Sequence, residues 1–238
     1  MLIKAYQRLI AAKNVPVAAQ LFSGREFAVR PVRVYYNKVG KLKYISHLDI
    51  NRVMLRMIRR AHIHVWFTEG FNQHPYINFA LPLSLGFEST SEAVDMRIND
   101  DMTDDEILKR LAEVAPDGME ITSVCEPIKK FSEIAFADFN ITIRGEYADK
   151  LNEFLAKPEI LVDKKTKKGG VKQIDLKEKI VKYDVSEADG NTKLDITLPA
   201  GTQENINPNL ILNAFCDDLS VESIVRTTIY DSEMKIFA

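Results

Sequence analysis

From residue 32 onward the apolar positions change period several times, and each change marks an element. "VRVYYNK" (32–38) is β-branched and aromatic and predicts a strand, while "SHLDINRVMLRMIRRAH" predicts a helix, with Ser46 and Asp49 in the Ser-x-x-acid spacing of an N-terminal cap. "IHVWF" (63–67) and "YINFALPL" (76–83) read as strand segments around a loop containing Gly70, Asn72 and Pro75. "SEAVDMRI" (91–98) reads as a strand whose alternation is imperfect. "TDDEILKRLAEVA" predicts a second helix opened by Thr103 with acids in its first turn, and "MEITSVCEPI" (119–128) a closing strand. The order is βαββαβ.

A hinge near 129–136 follows, and the order then repeats. "DFNITIRG" (138–145) alternates, "EYADKLNEFLA" is helical, and "EILVDKK" and "VKQIDLKEKIVKYDVS" surround a basic Gly-Gly turn. "TKLDITLP" alternates, "NPNLILNAFCDDL" is a helix with Asn207 before Pro208 at its start, and "ESIVRTTIYD" ends the series. The expectation is an α+β protein of two tandem ferredoxin-like βαββαβ modules with antiparallel sheets. The expected divisions are an N-terminal extension over 1–31, a first module over 32–130 and a second over 137–238.

The helix beginning at His47 carries the sharpest polarity. At about 100° per residue, Arg52, Arg56, Arg59 and Arg60 share one arc, and Ile50, Met54, Met57, Ile58 and Ala61 the opposite one. Between Arg33 and Pro75 there are eight Lys or Arg against two acids, Asp49 and Glu69, in a chain whose net charge is −2. The compensating acids fall in "NDDMTDDE". Such a face is either solvated, with Arg59 and Arg60 meeting the negative helix end, or a phosphate-binding surface, since Arg56 and Arg60 have no acid four residues away. A second basic run, "KKTKKGGVK" (164–172), is either a solvated loop or a matching contact, with Lys165, Lys167 and Lys168 as its candidates.

Composition mainly excludes. With 46% hydrophobic and 28% charged residues the chain is neither disordered nor fibrous. No apolar run approaches the roughly 18 residues that would span a membrane. Lys and Arg scattered through the first 30 residues argue against a secretory signal, so a short amphipathic helix or a poorly ordered leader is expected there. Cys125 and Cys216, far apart in sequence, read as reduced thiols, and the expected location is cytoplasmic.

All four histidines, His47, His62, His64 and His74, lie within 28 residues. They lack the spacing of a zinc site and have no nearby cysteine, so no metal is expected; instead they are expected to pack and orient the Gly70–Pro75 loop. Ser46 and Ser84 stand outside any Gly-x-Ser-x-Gly turn. His47 is the one candidate acid or base. Neither a GxGxxG nor a P-loop is present, and no cofactor is expected.

"KLKYISHLDINRVMLRMIRRAHI", "EGFNQHPYINFALPLSLGFEST" and "SEAVDMRI" together resemble the signature of the radical SAM-linked protein family, a domain of unknown function found beside or fused to radical SAM proteins with a cobalamin-type domain. The resemblance is dense over 32–98 and thinner in "DKKTKKGG", "IDLKEKI" and "VRTTIYD". Gln73 stands where the family's Gly-Phe-Asn-Pro-His-Pro run has proline. The resemblance implies a radical SAM partner, not a radical enzyme: two cysteines 91 positions apart cannot supply the three closely spaced thiolates of the cluster.

Three functions follow from these readings. The first is an RNA-binding accessory protein that presents tRNA or rRNA to a radical SAM enzyme, without DNA specificity or membrane contact and without catalysis of its own. Lys43, Arg52, Arg56, Arg59 and Arg60 would meet phosphates, His47, Asn72 and His74 would line the groove, and Phe71 or Tyr76 would stack a base. Glu92 and Asp95 follow the signature loop and would instead anchor Arg or His from the same corner. The second is a scaffold subunit whose basic helix meets an acidic partner. The third is a metal-independent ribonuclease, because two such modules also resemble CRISPR repeat-processing endonucleases.

Overall fold

The computed structural model describes residues 28–99, 101–165 and 171–237. The expected N-terminal leader, together with Lys167 and Lys168, lies outside them. The strands are β1 (Arg30–Lys38), β2 (Ile77–Phe79), β3 (Glu88–Ile98), β4 (Met119–Cys125), β5 (Ile134–Arg144), β6 (Leu161–Lys165), β7 (Val171–Asp175), β8 (Lys182–Ala188), β9 (Asn191–Pro199) and β10 (Val221–Asp231). The α-helices are α1 (His47–Arg60), α2 (Asp104–Val114), α3 (Ala148–Leu155) and α4 (Pro208–Phe215). Eight strands form one mostly antiparallel sheet in the order β4-β1-β3-β10-β5-β9-β8, with β2 also on β3; β6 and β7 form a separate hairpin.

Alternation decides which side chains go inward. On β1, Val32, Val34 and Tyr36 are buried with Val94, Met96 and Ile98 of β3 against α1 and α2. On β5, Phe139, Ile141 and Ile143 join Leu194 and Ile196 of β9 against α3 and α4. Each helix shows its stripe: Ile50, Met54, Met57 and Ile58 in α1, Leu151, Phe154 and Leu155 in α3.

The two halves are not separate sheets. Val225 and Arg226 of β10 pair in parallel with Glu88 and Ser89 of β3, and this is the seam. Leaving the β6–β7 hairpin aside, both sides of the seam repeat one strand order, with the fourth strand beside the first, the first beside the third and the second on the third.

The seam also corrects two sequence expectations. The segment 76–83 is extended only over Ile77–Phe79, because the edge of β3 that β2 occupies at Val94–Met96 passes to β10 at Glu88 and Ser89. The segment 63–67 forms only the isolated bridges Val65 to Ile98 and Phe67 to Pro75. The expected hinge at 129–136 is short, since a helical turn over Phe131–Glu133 leads straight into β5 at Ile134.

Candidate functional site

Local chemistry sets both ends of α1. Ser46 Oγ accepts the Asp49 N–H at 3.2 Å and donates to Asp49 Oδ2 at 2.7 Å, the expected cap. That hydroxyl first, and then Arg52, holds the Asp49 carboxyl below its ordinary value. At the other end the His62 N–H reaches Arg59 O and the Ile63 N–H reaches Ile58 O, with Ile58 and Ile63 buried. This is the bond pattern of a Schellman stop, and His62 holds the left-handed position at φ 54° that glycine usually takes. His62 thus ends a helix; its side chain is exposed.

The arginine arc faces solvent as the sequence predicts: Arg52, Arg56, Arg59 and Arg60 are all exposed. They are not equivalent. Arg52 is bound to Asp49 at 2.8 Å, and Lys43, at the far end of the helix, sits 3.3 Å from Glu88. Arg56, Arg59 and Arg60 have no carboxylate partner among the described residues.

The chain leaves α1 through His64 and Trp66, whose backbones bond Asn99 and Arg97 at the end of β3. It then makes a hairpin over 67–75. His74 organises that turn: its Nδ1 is 3.1 Å from both the Asn72 carbonyl and Thr68 Oγ1. Its backbone N–H also reaches Thr68 Oγ1 at 3.2 Å. The turn leaves Phe71 wholly exposed and Phe67 half exposed. Tyr76 returns to the sheet with its N–H on Trp66 O. Trp66 and Tyr76 meet edge to face at 6.0 Å, and the Arg97 guanidinium lies 4.6 Å from the Tyr76 centroid and 5.3 Å from that of Trp66.

The predicted residues therefore fall into separate places. Arg59 and Arg60 end α1, which packs on the face of β3 that carries Val94, Met96 and Ile98, whereas Arg97, between Met96 and Ile98, projects from the opposite face with Trp66 and Tyr76. Lys43 lies at the beginning of β3, since Lys43 O accepts the Gly86 N–H, and the strand separates it from Arg97 by roughly 30 Å. His47 is near the N-terminal end of α1, with its ring edge-on to Phe79 at 5.2 Å. Lys165 closes β6 in the separate hairpin. Trp66 and Arg97 carry the most distinctive contact here, and sequence alone misses them because 31 residues separate them until the register of β3 is known.

Glu92 and Asp95 both anchor arginines. Asp95 takes Arg33 through two bonds, 2.7 and 3.0 Å, with Lys129 O also accepting and the rings of Phe131 and Phe237 at 4.3 and 5.0 Å. Glu92 is bonded by Arg226, which also donates to Leu81 O. Lys38 is buried beside them; burial lowers its pKa, with Glu92 opposing and Arg226 reinforcing the shift. Burial, and then Glu92, pushes the Tyr36 hydroxyl well above its ordinary value. Among the described residues no three His, Cys, Asp or Glu side chains are grouped so as to hold a metal ion. No described helix is long and apolar enough to cross a membrane.

These features define a mixed α/β protein with an arginine-faced helix and an arginine–aromatic cluster at one end of its sheet. A family model described as "Uncharacterized protein conserved in bacteria (DUF2344)" matches residues 31–208, and the chain belongs to that family. No curated protein matches it. Among solved structures it is similar to a chain in the crystal structure of a Cbf5-Nop10-Gar1 complex, at 11% identity and a TM-score of 0.47, covering 83% of this chain and 48% of that one. The chain thus spans about half the length of that protein. It is also similar to an unknown protein from Galdieria sulphuraria, at 11% identity and a TM-score of 0.26, covering 82% of this chain and 98% of the other.

Proposed function

We propose that this chain is an RNA-binding accessory protein, built from two ferredoxin-like modules over 32–130 and 137–238 whose sheets have merged. The repeated strand order supports the modules. The observation that carries the binding function is the set Arg56, Arg59 and Arg60, exposed and without carboxylate partners among the described residues, while acids of α2 are engaged elsewhere. Asp104 takes Arg30 at 2.9 Å, and Glu106 caps α2 and faces Arg110. Guanidinium groups left free in this way fork onto phosphate.

The family resemblance adds a radical SAM enzyme as the protein to which a tRNA or rRNA is presented. The test is ultraviolet crosslinking in cell extract, with sequencing of bound RNA and identification of bound proteins. Enriched tRNA or rRNA fragments support the proposal. A protein partner captured without RNA would replace it with a scaffold role.

A further inference from the structure

We infer that Arg97, Trp66 and Tyr76 form a stacking site for an unpaired base, with Phe71 exposed on the hairpin that joins Trp66 to Tyr76, so that the RNA taken is single-stranded where it meets the hairpin. The inference rests on the RNA-binding proposal and narrows its substrate. Arg97 is exposed, and its guanidinium is held against Tyr76 and Trp66. The carboxylate best placed to engage it is Asp95, two positions away on the same strand face, but Arg33 takes both oxygens of that group. Among the described residues Arg97 therefore has no carboxylate partner, and its exposed side chain is left for a ligand.

A base stacks on an arginine plane as on an aromatic ring, and the ring beneath fixes the cation in advance. Phe71, at 104% relative exposure on the tip of a turn tied by His74, offers a second flat surface. In an A-form duplex the bases are stacked on one another and cannot enter such a site. Single-stranded RNA is the occupant to which the arrangement points, because an unpaired base supplies a flat face for the held guanidinium and its phosphates answer the basic balance of residues 33–75.

Trp66 is the only tryptophan in the chain, so its emission reports on this site alone. The probe is an oligonucleotide of about ten adenosines, followed by Trp66 fluorescence and by anisotropy of a labelled copy, with the matching duplex and inorganic polyphosphate alongside. The single strand is expected to bind and quench Trp66, the duplex to bind more weakly, and polyphosphate to bind without quenching. Arg97→Lys keeps the charge and loses the plane, and Phe71→Ala alters a side chain that supports no core; each is expected to weaken single-strand binding at least about fivefold. Binding of the oligonucleotide with unchanged Trp66 emission and a wild-type affinity in Arg97→Lys would overturn the stacking site while leaving RNA binding intact. Equal quenching by polyphosphate would overturn it too. No binding of any RNA would remove both proposals.

Discussion

Lys38 and Arg226 place two cations around one buried carboxylate, Glu92, and removing the carboxylate should differ in consequence from removing one cation. Glu92→Gln leaves Arg226 and Lys38 buried without a counter-charge and is expected to cost about 3–5 kcal/mol in urea unfolding. Lys38→Met removes the surplus cation and is expected to change stability by less than about 1 kcal/mol, or to raise it. The pH dependence follows from the same burial. Because Lys38 is lowered from 10.5 in the fold, the unfolded chain binds more protons between the folded value and 10.5, and stability gains from Lys38 as pH rises through that window. Tyr36 is raised from 10.0 and works the opposite way above that value, but it is common to both proteins. Wild type measured against Lys38→Met should therefore gain on the variant as pH rises toward 10.5. A flat difference would remove the buried, charged Lys38 from the account. Little of this trio was legible in the sequence, since Glu92 and Arg226 are 134 positions apart.

At the scale of the element, α1 was the most legible part because its signals are local. A cap needs only Ser46 and the residue three positions on, and an amphipathic face needs only spacing. The stop was not legible: His62 has no sequence signature for a left-handed residue, and the bonds to Arg59 and Ile58 appear only with the backbone. Ser46→Ala is expected to cost about 1 kcal/mol by denaturant titration. His62→Gly is expected to stabilise by up to about 1 kcal/mol, since a non-glycine residue pays roughly that in the left-handed region. Destabilisation by His62→Gly would mean that the imidazole has a structural task beyond ending the helix. The strands around the hairpin were less legible, because β2 ends where a strand from the other half takes its edge.

For the whole molecule, element order was legible and the seam was not. Alternation reports which face of a strand is buried, but not which strand lies beside it. The pairing of β3 with β10, the Arg226–Glu92 bond and the Phe237 ring over Arg33 tie the C-terminal half to the N-terminal one. Unfolding should therefore be a single transition, with Trp66 fluorescence in the first half and far-ultraviolet circular dichroism from both halves coinciding. Two separated midpoints would mean that the halves fold independently. The proposed RNA binding belongs to this scale as well, because it depends on the exposed face of α1 as the fold presents it. The measurement that tests it most directly is the salt dependence of single-stranded RNA affinity for wild type and for the Arg56→Gln, Arg59→Gln, Arg60→Gln triple variant. With each arginine on a phosphate, the log–log slope should be shallower by roughly 2 in the variant, with its circular dichroism unchanged. Equal slopes in the two proteins, or a wild type that binds no RNA at physiological salt, would contradict RNA binding by this helix.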